Sequence, residues 1–155
     1  MKKLDRIDRK ILDIMQKDAS LAIAEIASRV GLSQTPCWRR IQRLRADGII
    51  EAVVALVDPA SIGVGLTVFV EIEARDHSPE WLAQFTNAVV ARSEVLQVHR
   101  MAGNMDYLLR VAVPDMAAFD TFYRELITAV PLKNVSSHFA MEPVKDTTAY
   151  PLLAE

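Results

Sequence analysis

Residues 33–48 read SQTPCWRRIQRLRADG, so Arg39, Arg40, Arg43 and Arg45 place four guanidinium groups within seven positions. A guanidinium is a planar fork of permanently charged donors, suited to clamping a phosphate or bridging O6 and N7 of a guanine. On a helical wheel Cys37, Ile41, Leu44 and Gly48 fall on one side, and Thr35, Arg39, Gln42 and Arg43 fall opposite. The charged face is therefore the outer face, and its chemistry points to a polyanion. The competing role for each arginine is a solvated or ion-paired side chain.

The charge balance of the whole chain supports the first role. Residues 1–50 hold 11 Lys+Arg against 6 Asp+Glu, a balance of +5, while residues 51–155 hold 7 against 14, a balance of −7, within a net charge of −2. Such polarisation marks the basic end for nucleic acid. Other chemistry is thinly represented. Cys37 is the single cysteine, which rules out an intramolecular disulfide, and Cys37, His77, His99 and His138 lie at no metal-ligand spacing. No nucleophile–base pair or phosphate loop is recognisable, and no cofactor is expected. The apolar runs IIEAVVALV and LTVFVEI are broken by acids and too short to span a bilayer, and MKKLDRIDRK lacks an apolar signal region. A cytoplasmic protein without a membrane partner is the expectation.

The elements that must carry the arginines can be read from periodicity. In LDRIDRKILDIMQKD, Leu4, Ile7, Ile11, Ile14 and Met15 recur at helical spacing, and in IAEIASRVG the pattern returns at Ile23, Ile26, Ala27 and Val30 before Gly31 stops the helix. A third helix comes next, with Ser33 as N-cap, Pro36 in the first turn and Gly48 at its end. Two short helices joined by Gly31-Leu32-Ser33 form a helix-turn-helix, whose second helix enters the major groove. Cys37 lies on the apolar stripe as an inert core residue, and Trp38 is expected to pack against the core rather than to stack on bases. The β-branched stretch IIEAVVALVD predicts a short hairpin, a wing, followed by a linker over 59–65.

Beyond the linker the pattern predicts strand 66–74, helix 79–92, strand 95–102, strand 106–113, helix 116–130 and strand 135–142. The helices carry apolar residues at Trp81, Phe85, Ala88 and Val89, and at Phe119, Phe122, Tyr123, Leu126 and Ile127. A β-α-β-β-α-β series is the ferredoxin-like arrangement, with helices on one face of the sheet. Its other face, with Phe69, calls for a second copy of the chain as cover.

LDRIDRKILDIMQKD, IASRVGLSQTPCWRRIQRLRADGII, GNMDYLLRVAVPDM and FAMEPVK, in that order along the chain, resemble the leucine-responsive regulatory (Lrp/AsnC, feast/famine) family. HSPEW, HRMAGNMDYLLRV and SSHFAMEPVKDTTAYP resemble its cysteine-responsive branch. The resemblance implies an α+β bacterial transcription regulator that is not an enzyme. Residues 1–58 would form a winged helix-turn-helix, residues 59–65 a linker, and residues 66–155 a ferredoxin-like effector (RAM) domain. It implies double-stranded DNA contacts by Ser33, Gln34, Thr35, Arg39, Arg40, Arg43 and Arg45. It also implies a free amino acid effector, such as cysteine, bound between sensing domains near Gly103, Asn104, Met105, Asp106, Tyr107, Ser136 and His138, in a homodimer assembling to a tetramer or octamer. Physically, a glycine turn exposes backbone N–H groups for a carboxylate and Asp106 offers an acceptor for an ammonium. An ordinary hairpin turn at Gly103, with Asp106 capping backbone, explains the same residues. Two other functions fit the architecture: a siroheme decarboxylase, which has no need of the arginine helix, and an architectural DNA binder without an effector.

Overall fold

The computed structural model describes residues 4–152. The chain divides into two compact units, one formed by residues up to Ala55 with the segment from Val144, the other by Leu56–Pro143.

The first unit holds α1 (Arg6–Lys17), α2 (Ile23–Val30) and α3 (Gln34–Ala46). Asp5 opens α1 with a reciprocal cap: its Oδ1 accepts from the N–H groups of Ile7 at 2.9 Å and Asp8 at 2.8 Å, while Asp5 N–H donates to Asp8 Oδ2 at 3.2 Å. These bonds satisfy donors that a helix start leaves without partners. Gly31 ends α2 at φ 75°, the left-handed region where a side chain is strained, and turns the chain directly into α3. Ile11, Leu12, Ile26, Ala27, Val30, Cys37, Ile41 and Leu44 form the core. Burial pushes the Cys37 thiol above its ordinary pKa, as expected for an inert core residue.

The last described residues complete this unit. Tyr150 N–H donates to Gln16 Oε1 at 2.8 Å and Gln16 Nε2 donates back to Tyr150 O at 3.2 Å. The side-chain amide thus holds the backbone as a neighbouring strand would, and Leu152 packs on the helical core. The sequence pattern assigns all of 66–155 to the second domain, but the tail from Val144 groups with the helices. Leu152 and Ile14 also line a cleft of about 460 Å³ bordered by Arg6, Arg9, Lys10, Asp13 and Arg29, so much of the unit's positive excess lies on α1 and α2.

The expected hairpin over 49–58 is absent from the described residues, where 51–58 carry no strand. The stretch has no Gly or Asn-Gly at which a two-stranded ladder could reverse. Val53, Val54, Leu56 and Val57 are left exposed. The linker is more ordered than its composition suggests: Asp58 Oδ1 accepts from Ala60 N–H at 3.2 Å, and Val64 N–H reaches Pro59 O at 2.9 Å.

The second unit is β1 (Leu66–Ala74), α4 (Pro79–Val90), β2 (Val95–Arg100), β3 (Tyr107–Val113), α5 (Met116–Ala129) and β4 (Leu132–Phe139), in sheet order β2-β3-β1-β4, all pairs antiparallel. Val68, Val70 and Ile72 from β1 and Leu109, Val111 and Val113 from β3 meet Trp81, Phe85, Val89, Phe119, Phe122 and Leu126 on one face. Alternation therefore turns Phe69, Glu71 and Glu73 to the other face, and Phe69 is exposed there. The last strand lies three residues earlier than the pattern predicts. Val68 pairs with Phe139, and Ala140 N–H meets Thr67 O at 3.0 Å, so β4 runs out of partner where β1 begins.

Candidate functional site

Ser33, Gln34, Thr35, Arg39, Arg43 and Arg45 are all exposed on α3. Ser33 has extended backbone at the N-cap position, yet its side chain makes no cap hydrogen bond, and the first turn contains no acid. Hydroxyls and helix N–H groups are therefore left for an external acceptor, and the positive end of the helix dipole is not neutralised locally. Trp38, expected in the core, is 46% exposed on the side of the helix shared with Arg45. It adds a flat aromatic surface to this face.

The four arginines divide into two pairs. Arg40 Nη1 donates to Asp8 Oδ1 at 2.8 Å and to Asp5 Oδ2 at 2.6 Å, and Arg43 Nη2 donates to Asp8 Oδ2 at 2.5 Å. Asp8 is only 1% exposed, whereas Arg40 and Arg43 keep 28% and 50% of their side-chain surface. Asp8 is thus a buried charge compensated from α3, and the pairs lock the α3 arginines against the start of α1. Arg40, read from sequence as a DNA contact, is directed inward by this lock, while Arg43 retains an exposed edge. Neither Arg39 nor Arg45 has an ion pair among the described residues. The D-x-x-D start of α1, spaced as a capping box, is the sequence feature that supplies both acids of the lock to α3.

Asp5 reports on the same contact. The Asp8 backbone N–H, followed by the Arg40 guanidinium, lowers its pKa from the ordinary 3.8 to about 2. A carboxylate depressed in the folded state contributes stability that is complete above its unfolded value and is lost as pH falls through its folded one. Asp5→Asn, which preserves the cap, is therefore expected to flatten the acid limb of thermal stability between about pH 4 and pH 2. Melting curves across that range check it; an unchanged acid limb would contradict the assignment.

At the other end of the chain, Gly103 has φ 142° with nothing within 4 Å of a Cβ position, and Gly103 and Asn104 are exposed while Met105 is half-buried. Asp106 joins three strands. Its N–H donates to Ile72 O at 2.9 Å, its carbonyl accepts from Met101 N–H at 2.8 Å, and its Oδ2 accepts from Ala74 N–H at 2.7 Å. The carboxylate continues the β1 ladder past the end of β3, which supports the turn role, while Oδ1 lies 3.8 Å from His77 Nε2, beyond hydrogen-bond length. Tyr107, counted from sequence among the ligand residues, points into the core, its ring 4.5 Å from that of Phe85 and 6.0 Å from that of Trp81.

Ser136 and His138 do share the open face, opposite Glu71 and Phe69, with His138 Nε2 3.5 Å from Glu71 Oε1. They lie farther along β4 than the turn. The residues level with Asp106 are Glu73, Lys133 and Asn134, all missed from sequence: Lys133 Nζ is 2.9 Å from Glu73 Oε2 and Asn134 Nδ2 donates to Glu73 Oε1 at 3.4 Å. They meet because the β1–β4 register shifts between Glu73 and Ala74, where Glu73 faces Asn134 and Ala74 faces Leu132. Among the described residues no group of His, Cys, Asp or Glu is arranged to hold a metal, and no helix is long and apolar enough to cross a membrane.

Two family models match the chain: winged helix-turn-helix DNA-binding over residues 4–51, and Lrp/AsnC ligand binding domain over residues 67–150. The DNA-binding transcriptional activator DecR of Escherichia coli (strain K12) is 49% identical over 150 residues, 96% of this chain and 99% of that protein. A crystal structure of an AsnC family transcriptional regulator from Agrobacterium tumefaciens superposes with a TM-score of 0.92 at 52% identity, covering 96% of this chain and 97% of the other. A Neisseria meningitidis transcriptional regulator solved as an L-Met complex gives a TM-score of 0.92 at 33% identity over the same shares.

Proposed function

The chain belongs to the Lrp/AsnC family of DNA-binding transcriptional regulators, and from that premise we propose that α3 reads operator DNA while the turn at Gly103–Asp106 senses a free amino acid. The observation that carries the DNA half is the exposed, uncompensated face of α3: Arg39 and Arg45 flanked by Ser33, Gln34 and Thr35, with Arg43 adding its open edge. Such a face suits phosphate clamping and base-edge contact in a major groove. The decarboxylase alternative is set aside, since the matched proteins are regulators.

For the sensing half, support comes from the exposed turn at Gly103, with its positive φ, and the second carboxylate oxygen of Asp106. Cysteine is the first effector to try because of HSPEW and HRMAGNMDYLLRV, and methionine the second because a neighbouring structure holds it. The open sheet face with Phe69 and Leu108 suits a second copy, giving a cytoplasmic homodimer that assembles further. Effector control then arises if the amino acid has different affinity for two assembly states.

DNA fragments from the protein's own upstream region, titrated at two salt concentrations with and without millimolar cysteine or methionine, test both halves. Specific, salt-sensitive binding altered by one amino acid is expected. Asp106→Asn keeps an acceptor for Ala74 N–H but removes the charge, so it should abolish the amino-acid response while melting like the parent; Asp106→Ala should lower melting as well. A full response in Asp106→Asn would move the sensor away from this turn, and binding that ignores every amino acid would leave an architectural DNA binder.

A further inference from the structure

We propose that Glu73, Lys133 and His77, with Asp106, form a frame of alternating charge that selects the zwitterionic head group of a free α-amino acid. This deepens, and rests on, the sensing site at the Gly103–Asp106 turn. The frame exists because of a β-bulge. With Glu73 opposite Asn134 and Ala74 opposite Leu132, Lys133 has no ladder partner. A bulge frees one residue from the alternation of the strand and re-aims its side chain. Here the freed residue is a cation, brought to 2.9 Å from Glu73.

Charge coupling extends from this pair to the turn. Lys133, then Asn134, holds the Glu73 carboxyl below its usual range, while the Asp106 charge acts in the opposite direction. Ile72 pairs with Tyr107 and Asp106 Oδ2 accepts from Ala74 N–H, so Asp106 stands beside Glu73 and two like charges, one ammonium and one imidazole surround the end of β1. Among the described residues their pairing is incomplete: Asp106 Oδ1 lies 3.8 Å from His77, and the ion pair of Lys133 is with Glu73. A ligand ammonium placed between Asp106 Oδ1 and Glu73 relieves that repulsion. Its carboxylate then meets Lys133 and the exposed backbone of Gly103 and Asn104, with an N–H of His77 as a further donor. Both charges of the ligand are required, so amides, esters and N-acylated derivatives are rejected. The ligand side chain is left to other residues.

The test uses the full-length protein, a panel of the twenty standard L-amino acids, and thermal melting followed by calorimetric titration of the amino acid with the largest shift. Its methyl ester and N-acetyl derivatives serve as probes of the two charges. Lys133→Met and Glu73→Gln are expected to weaken the free amino acid at least about tenfold, and Lys133→Arg to restore most of it, with unliganded melting of the two Lys133 variants unchanged because Lys133 is 68% exposed. Wild-type binding of the methyl ester or N-acetyl form as tight as the free amino acid overturns the frame. So does unchanged affinity in Lys133→Met and Glu73→Gln, although either result leaves the turn as the sensor. No shift with any of the twenty overturns the sensing site itself, and the frame with it.

Discussion

Asp8→Ala is expected to destabilise the helical unit by about 3 kcal/mol, toward the lower end of what breaking a buried ion pair costs. The side chain has 1% of its surface exposed and accepts from Arg40, Arg43 and the Asp5 N–H. Its removal leaves the Arg43 guanidinium without its Asp8 acceptor and Arg40 with Asp5 in place of two carboxylates, and it opens the cap of α1. Partial exposure of Arg40 and Arg43 lets water recover some of the loss, which is why the upper end of the range is not reached. Urea denaturation resolves the two units, because Trp38 belongs to the helical unit and Trp81 to the sheet unit. The Trp38 transition should move to lower urea while the Trp81 transition stays. A loss below about 1 kcal/mol would place Asp8 among ordinary surface ion pairs. DNA binding should fall with stability, since the same contacts orient α3.

Arg39→Ala is expected to weaken operator binding by about 10- to 100-fold, the worth of one good fork contact, without changing the melting temperature. Arg39 points away from the core, between Thr35 and Gln42, and has no ion pair among the described residues. Anisotropy titrations at two salt concentrations separate its two candidate partners. A phosphate contact lowers the salt slope by about 1 and weakens all sequences alike, whereas a base contact leaves the slope and relaxes specificity. Arg40→Ala should behave in the opposite manner, losing stability first, because its fork is turned to Asp5 and Asp8. Equal DNA affinity of Arg39→Ala and the parent would remove α3 from the interface.

Much of this was legible from the residues alone, where one physical signal dominated. The strand Leu66–Ala74 matches the predicted bounds because its alternation is long and its ends are marked by Gly65 and Arg75-Asp76. Gly31 and Ser33 placed α2 and α3 within a residue. The reading stopped short where neighbours in space decide. Arg40 and Arg39 are adjacent and identical in type, and only the packing of α1 separates their roles. Trp38 sits between faces on a wheel, where no periodicity assigns it. Tyr107 looked like part of a polar turn, but it begins the inward alternation of β3. Lys133 was invisible because a register shift leaves no compositional mark.

The tail that returns to Gln16 also bears on the order in which the molecule is completed. Gln16 and Tyr150 are 134 residues apart, so this bond closes a loop that contains the entire sheet unit. Closing so long a loop through a flexible chain is entropically unfavourable, and prior folding of the enclosed unit shortens it. During synthesis the helices emerge first, and the Gln16–Tyr150 bonds can form only after the last strand and the tail beyond it have been delivered. A nascent chain stalled before Tyr150 should therefore carry helices that are more easily cleaved by protease than those of the released protein. The earliest part of the chain to appear is in this sense the last to mature.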